Sequence, residues 1–143
     1  MIASELKRLL SCLKECDVGY LLADGFEHKP HTALKLGKNL DFWLKASPDN
    51  ARRLVRALKM FGTPMHGIQP ERLATLETQF TLGCRPYQLE FYTYIPGLDF
   101  NQSFEIRETY REGNSLVNLL SRADLALARA SLRRASDDAD PSP

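Results

Sequence analysis

The chain has 143 residues, 43% of them hydrophobic, with 19 Lys and Arg against 18 Asp and Glu for a formal net charge of +1. That length suits one domain able to bury roughly two-thirds of its unfolded surface, and the even balance of charge excludes a general field for nucleic acid or a membrane surface. Three cysteines exclude a disulfide framework, and no segment approaches the ~20 apolar residues of a membrane span.

At the N-terminus, Ile2, Leu6, Leu9, Leu10, Leu13 and Cys16 recur at helical spacing with Glu5, Lys7, Arg8 and Glu15 between them. This predicts an amphipathic helix with Ser4 as its N-cap and Asp17 to Gly19 closing it. Cys12 and Cys16 lie a turn apart on it and read as buried small hydrophobes, because no further Cys or His stands at metal-ligand spacing. No signal-peptide run opens the chain, so a cytoplasmic protein is expected.

Tyr20-Leu21-Leu22 reads as a short buried strand that Asp24-Gly25 breaks. His28, Lys29, Pro30 and His31 read as loop, and Thr32 to Leu36 as a short turn. Leu40 to Leu44 is a second strand. Ser47 and Pro48 start a helix with Ala51, Leu54, Val55, Leu58 and Phe61 on one face, Arg52, Arg53, Arg56 and Lys59 on the other, and Gly62 at its end. The basic face reads as a solvated surface before it reads as an RNA-binding one. His66 falls in the loop that follows. Phe80 to Leu82 and Tyr87 to Tyr94 form a hairpin around Gly83-Cys84-Arg85-Pro86. A short strand is expected near Phe104 to Thr109. Leu116, Leu119, Leu120, Ala123, Leu127 and Ala130 predict a last helix capped by Asn114 or Ser115, on which Arg129, Arg133 and Arg134 complement the helix dipole without a ligand. Residues 1–136 are expected to form one domain and 137–143 a disordered tail. This order of elements predicts an α+β fold, a small mixed β-sheet covered by helices on one side.

Asn39 and Asp41 stand two apart in the second strand and therefore share a face. Glu90 lies in the apolar strand Tyr87-Gln88-Leu89-Glu90-Phe91-Tyr92, where a carboxylate is unusual unless paired, exposed or coordinating. If these strands are neighbours, three oxygen-bearing side chains converge on a hard cation and a triphosphate. Backbone amides near Gly25 would then cradle phosphate, with Lys35 and Lys38 neutralising its charge. The competing reading is structural: Asn39 and Asp41 terminate pairing and Glu90 faces solvent.

From about Tyr20 to Phe100 the chain resembles the minimal nucleotidyltransferases of the polymerase-beta superfamily. The nearest group is the bacterial proteins related to AbiEii-type toxins and to small antibiotic-modifying adenylyltransferases. The resemblance rests on Tyr20-Leu21-Leu22-Ala23-Asp24-Gly25-Phe26 at the glycine motif and Lys35-Leu36-Gly37-Lys38-Asn39-Leu40-Asp41-Phe42-Trp43 at the Asp-x-Asp motif. It extends to the helix start at Ser47-Pro48-Asp49-Asn50 and to the run from Leu89-Glu90-Phe91 through Pro96-Gly97-Leu98-Asp99-Phe100. His31 matches a histidine often found in that group. The resemblance implies a nucleotidyltransferase-like fold and Mg²⁺-dependent transfer of a nucleoside monophosphate from an NTP to a hydroxyl acceptor. Asp41, Glu90 and Asn39 would hold metal, and Gly25, Asp24, Lys35 and Lys38 would hold the nucleotide. The departures fall on the site itself: Asp24 replaces the first glycine, Lys35 an arginine, Gly37 a threonine and Asn39 the first aspartate. These changes imply a second reading, a degenerate pseudoenzyme that binds a nucleotide or a cognate protein partner, as one half of a toxin–antitoxin or phage-defence pair.

Overall fold

The computed structural model describes residues 2–27, 34–64, 69, 71–75 and 78–139. In chain order the elements are α1 (Ser4–Glu15), β1 (Tyr20–Glu27), β2 (Lys35–Leu44), α2 (Pro48–Phe61), a 3-10 turn (Arg72–Ala74), β3 (Gln79–Cys84), β4 (Tyr87–Tyr92), α3 (Phe100–Glu105), β5 (Glu108–Glu112), β6 (Ser115–Leu119) and α4 (Arg122–Ala139). The fold is mixed α and β, built on a six-stranded sheet of order β3-β4-β2-β1-β6-β5. β1 and β2 form an antiparallel hairpin, β4 runs parallel to β2, and β6 runs parallel to β1. Each edge strand, β3 and β5, pairs antiparallel with its neighbour.

Local chemistry sets several element ends. Ser47 caps α2, its Oγ accepting from the Asn50 N–H at 3.1 Å; Pro48 follows, and Gly62 ends the helix at φ 98°. Buried Asn50 ties two turns together: its Oδ1 accepts from the Gly19 N–H at 2.6 Å, and its amide donates to the Gly19 and Lys45 carbonyls at 3.0 and 2.9 Å. β3 and β4 turn around Arg85-Pro86, as the expected hairpin requires.

Strand alternation divides the core in two. Tyr20, Leu22, Leu40, Phe42, Leu89, Phe91, Val117 and Leu119 meet α1 and α2 in the larger cluster. Leu21, Ala23 and Trp43 belong to a smaller cluster on the other face with Leu120 and Ala128, against Phe100, Phe104 and Leu125 of α3 and α4. Helices therefore cover both faces rather than one. The first two helices carry enough apolar surface for one face only, and Leu21, Ala23 and Trp43 need a second layer.

The C-terminal third departs from expectation. Leu116 and Leu119 lie in β6, not in the last helix, which starts at Arg122 behind Ser121, whose Oγ accepts from the Asp124 N–H at 3.2 Å. Val117 and Leu119 alternate onto the buried face, and a short apolar run satisfies strand and helix periods alike. Leu127, placed on the helical stripe, is 56% exposed. Phe104 lies in α3, capped by Asp99, and the strand expected near it begins at Glu108. α4 takes in 137–139 of the expected tail; 140–143, His28, His31 and His66 lie outside the described residues.

Candidate functional site

The β1–β2 hairpin is irregular where the sequence singled out residues. Leu22 pairs with Phe42, and Asp24 pairs with Asp41, so Ala23 and Asp24 together oppose one residue of β2. This bulge turns Asp24 out of the alternation that would have sent it to the α1–α2 face. The register then shifts again, and Phe26 pairs with Leu36. Gly25 lies within the second shift, between Asp24 and Phe26, at φ +93°, and a Cβ there would collide with the Asn39 carbonyl oxygen. Only glycine fits both the conformation and the space.

Across the next pair, Asp41 stands beside Glu90 and Asn39 beside Gln88 in the parallel β2–β4 register. Asp24, Asp41 and Glu90 thus form a row over three adjacent strands, on the face opposite α1 and α2. Neighbouring strands lie about 4.8 Å apart, so the carboxylates feel one another. Burial raises the Asp41 carboxyl above its ordinary value, and the charges of Asp24 and Glu90 raise it further. The Tyr92 hydroxyl donates to Asp41 Oδ2 at 3.4 Å and partly offsets the rise. Tyr92 is itself pushed far up, first by burial and then by Asp41.

Each carboxylate has different company. Asp24 Oδ1 accepts from Arg129 Nη2 at 3.0 Å, from Arg129 Nε at 3.3 Å and from the Gly25 N–H at 2.9 Å. Glu90 Oε2 accepts from Gln79 Nε2 at 2.8 Å, and its Oε1 lies 3.5 Å from the Thr81 hydroxyl. Among the described residues no cation is paired with Asp41 or Glu90. Asn39 is exposed two residues before Asp41 on the same face. Lys35 ends the hairpin opposite Glu27 and lines a cavity of about 310 Å³ with Asp24, Gly25, Gly37 and Arg129. Lys38 is exposed and does not line that cavity.

The residues fit a cation in part. Asp41 is a half-buried carboxylate in register with Glu90, and among the described residues no cation is paired with either, so the two charges repel. A second ion finds the amide of Asn39 and an Asp24 already taken by Arg129. Among the described residues no group of three or more His, Cys, Asp or Glu side chains could hold a metal ion.

Sequence reasoning missed Arg129, Tyr92 and Gln79. Arg129 read as a dipole partner at the end of a helix, and nothing local reveals that it meets a residue 105 positions earlier. The strand reading of Tyr87 to Tyr94 does put Tyr92 two residues after Glu90, on its face. The basic face of α2 is exposed, and Arg52 pairs with Asp49. Cys12, Cys16 and Cys84 are buried free thiols, and among the described residues no helix is long and apolar enough to cross a membrane. No family model matches the chain, nor does any curated protein or solved structure.

Proposed function

We propose that this chain is a nucleotidyltransferase-like module that holds an NTP through one Mg²⁺ ion and has lost most of its capacity to transfer the nucleoside monophosphate. One observation carries the reading. Asp41 and Glu90 stand in register on adjacent strands with no paired cation among the described residues, while Asn39 and the Arg129-bound Asp24 flank them. Asp41 and Glu90 are the ion's side-chain ligands, and the Asn39 carbonyl is a weak third. Lys35 lies beside Asp24 and Gly25, on the cavity where phosphate charge has to be neutralised. A bound Mg²⁺ would supply charge stabilisation to the phosphates.

Loss of transfer follows from the charge count. Replacing a carboxylate by an amide about 4 Å from an ion removes roughly 4 kcal/mol per unit of ion charge at an effective dielectric of about 20, before solvation offsets. The ion that loses most is the second, because its other carboxylate, Asp24, is already neutralised. Asn39 also favours the reading in which the domain serves a cognate protein partner, with nucleotide as the ligand that the partner senses.

Isothermal titration with the four NTPs, with and without Mg²⁺, tests this. Wild type is expected to bind an NTP only with Mg²⁺, and Asp41→Ala to weaken that binding at least about tenfold. Label transfer to a hydroxyl acceptor is expected to rise in Asn39→Asp. Absence of Mg²⁺-dependent NTP binding in wild type overturns the proposal.

A further inference from the structure

The two edges of the sheet differ in how they are guarded. β5 carries Glu108, Arg111 and Glu112, and Glu112 holds Lys7 at 3.1 Å. β3 is Gln79-Phe80-Thr81-Leu82-Gly83-Cys84, with no charged side chain and no proline. It pairs with β4 in an unbroken register from Gln79 opposite Tyr92 to Cys84 opposite Tyr87, with no bulge to twist its outer side away. Charges, prolines and bulges keep a strand edge from recruiting another strand, and β3 has none of them. The alternation of the ladder decides which groups face outward. The Thr93 N–H donates to the Thr78 carbonyl at 3.2 Å, so Phe80 and Leu82, at even steps from Thr78, turn their backbone groups toward β4. Gln79, Thr81 and Gly83 turn theirs outward, and among the described residues no strand pairs with them there.

We propose that β3 is a self-association edge: a second copy of this chain pairs antiparallel with it about a two-fold axis at Thr81, joining the two sheets into one. The strand is complementary to itself in that register. Thr81 meets its own counterpart and Gln79 meets Gly83 of the second copy, so the outward N–H and C=O groups of all three exchange hydrogen bonds. Phe80 then stands opposite Leu82 of the second copy, on both sides of the axis. Both side chains are partly buried at the margin of the α1–α2 core, and the pairing covers more of each. No like charges meet along the strand. In the sequence the nearest charges, Glu77 and Arg85, have opposite signs and stand four residues on either side of Thr81. Antiparallel copies therefore set the acidic end of one strand against the basic end of the other, which favours a second copy over an unrelated strand. One pair of strands buries less surface than a permanent dimer does, so the association is weak and rises with concentration.

Sedimentation equilibrium over a concentration series, with cross-linking beside it, tests the inference. Wild type is expected to move from the mass of one chain toward that of two as its concentration rises to about 100 µM, the range of a small interface. Thr81→Pro removes an outward N–H that β4 does not use, and is expected to stay at the mass of one chain. Thr81→Cys, whose counterpart lies directly opposite, is expected to form a disulfide-linked dimer under copper phenanthroline at least about tenfold faster than Thr109→Cys on the guarded edge. A wild type that keeps the mass of one chain throughout overturns the proposal, and so does a dimer that Thr81→Pro leaves intact. A thermal melt of Thr81→Pro, taken where wild type is also a single chain, shows whether the variant is folded. Should it not fold, Thr81→Cys decides, and cross-linking no faster than that of Thr109→Cys overturns the pairing.

Discussion

Gly25 and Asp41 illustrate two ways in which a residue becomes indispensable. Gly25 is needed for space: the Asn39 carbonyl sits where a side chain would begin. Its N–H is taken by Asp24, so what is visible of its role is the close approach of two strands. Asp41 is in electrostatic conflict with the fold. Its carboxyl is raised from an ordinary 3.8 by burial, then by Asp24 and Glu90, so the folded state holds its proton more tightly than the unfolded state does. Stability is therefore lost as pH climbs from the ordinary carboxylate value through the folded one. Asp41→Asn keeps the shape and removes that conflict. It is expected to melt at a higher temperature than wild type near neutral pH, with the gain shrinking as the solution is acidified. The same variant is expected to bind Mg²⁺ and NTP more weakly. Thermal melts across the acid range check the sign, and a lower melting temperature at neutral pH would count against it. A group that costs stability where it stands is common at functional sites.

At the scale of elements, the ends of α2 are local events. Ser47, Pro48 and Gly62 carry them, and each is legible in the sequence because caps and stops depend on the residues next to them. Asn50 sits one turn inside the same helix and does something a local reading cannot supply. It closes the α1–β1 turn at Gly19 against the β2–α2 turn at Lys45 and so sets the distance between two strands and two helices. Asn50→Ala leaves the Gly19 N–H and two carbonyls without these partners in a buried place. It is expected to destabilise the fold by about 2–3 kcal/mol, measured by urea unfolding. Asn50→Asp keeps the acceptor for Gly19 but donates nothing to the carbonyls, so it is expected to fall well below wild type as well. A change under about 0.5 kcal/mol in both would remove Asn50 from this role. The C-terminal elements were less legible. The leucines from 116 to 120 satisfy two periods, and the choice between them depended on whether β1 had a free edge to offer. β6 takes that edge, with Leu22 opposite Leu119.

For the whole molecule, the core that α1 and α2 close over one face of the sheet buries all three thiols. Cys12, Cys16 and Cys84 are buried. Burial pushes the Cys84 thiol up to about 11 and also raises Cys12. The folded protein is expected to resist a thiol reagent at mildly alkaline pH, with all three cysteines reacting once guanidinium unfolds it. Labelling of a cysteine in the folded protein at the rate of a free small thiol would contradict this.

Local patterning by itself determined the amphipathic opening helix, the limits of α2, the β3–β4 hairpin and the common face of Asn39 and Asp41. Each follows from the 3.6-residue and two-residue periods, or from a cap within one turn. The tertiary structure alone decided that β4 lies beside β2, bringing Glu90 to Asp41, and that a bulge at Ala23 turns Asp24 onto their face. It alone brought Arg129 to Asp24. Which strands become neighbours depends on burying two faces of one sheet at once, and no short-range period carries that information.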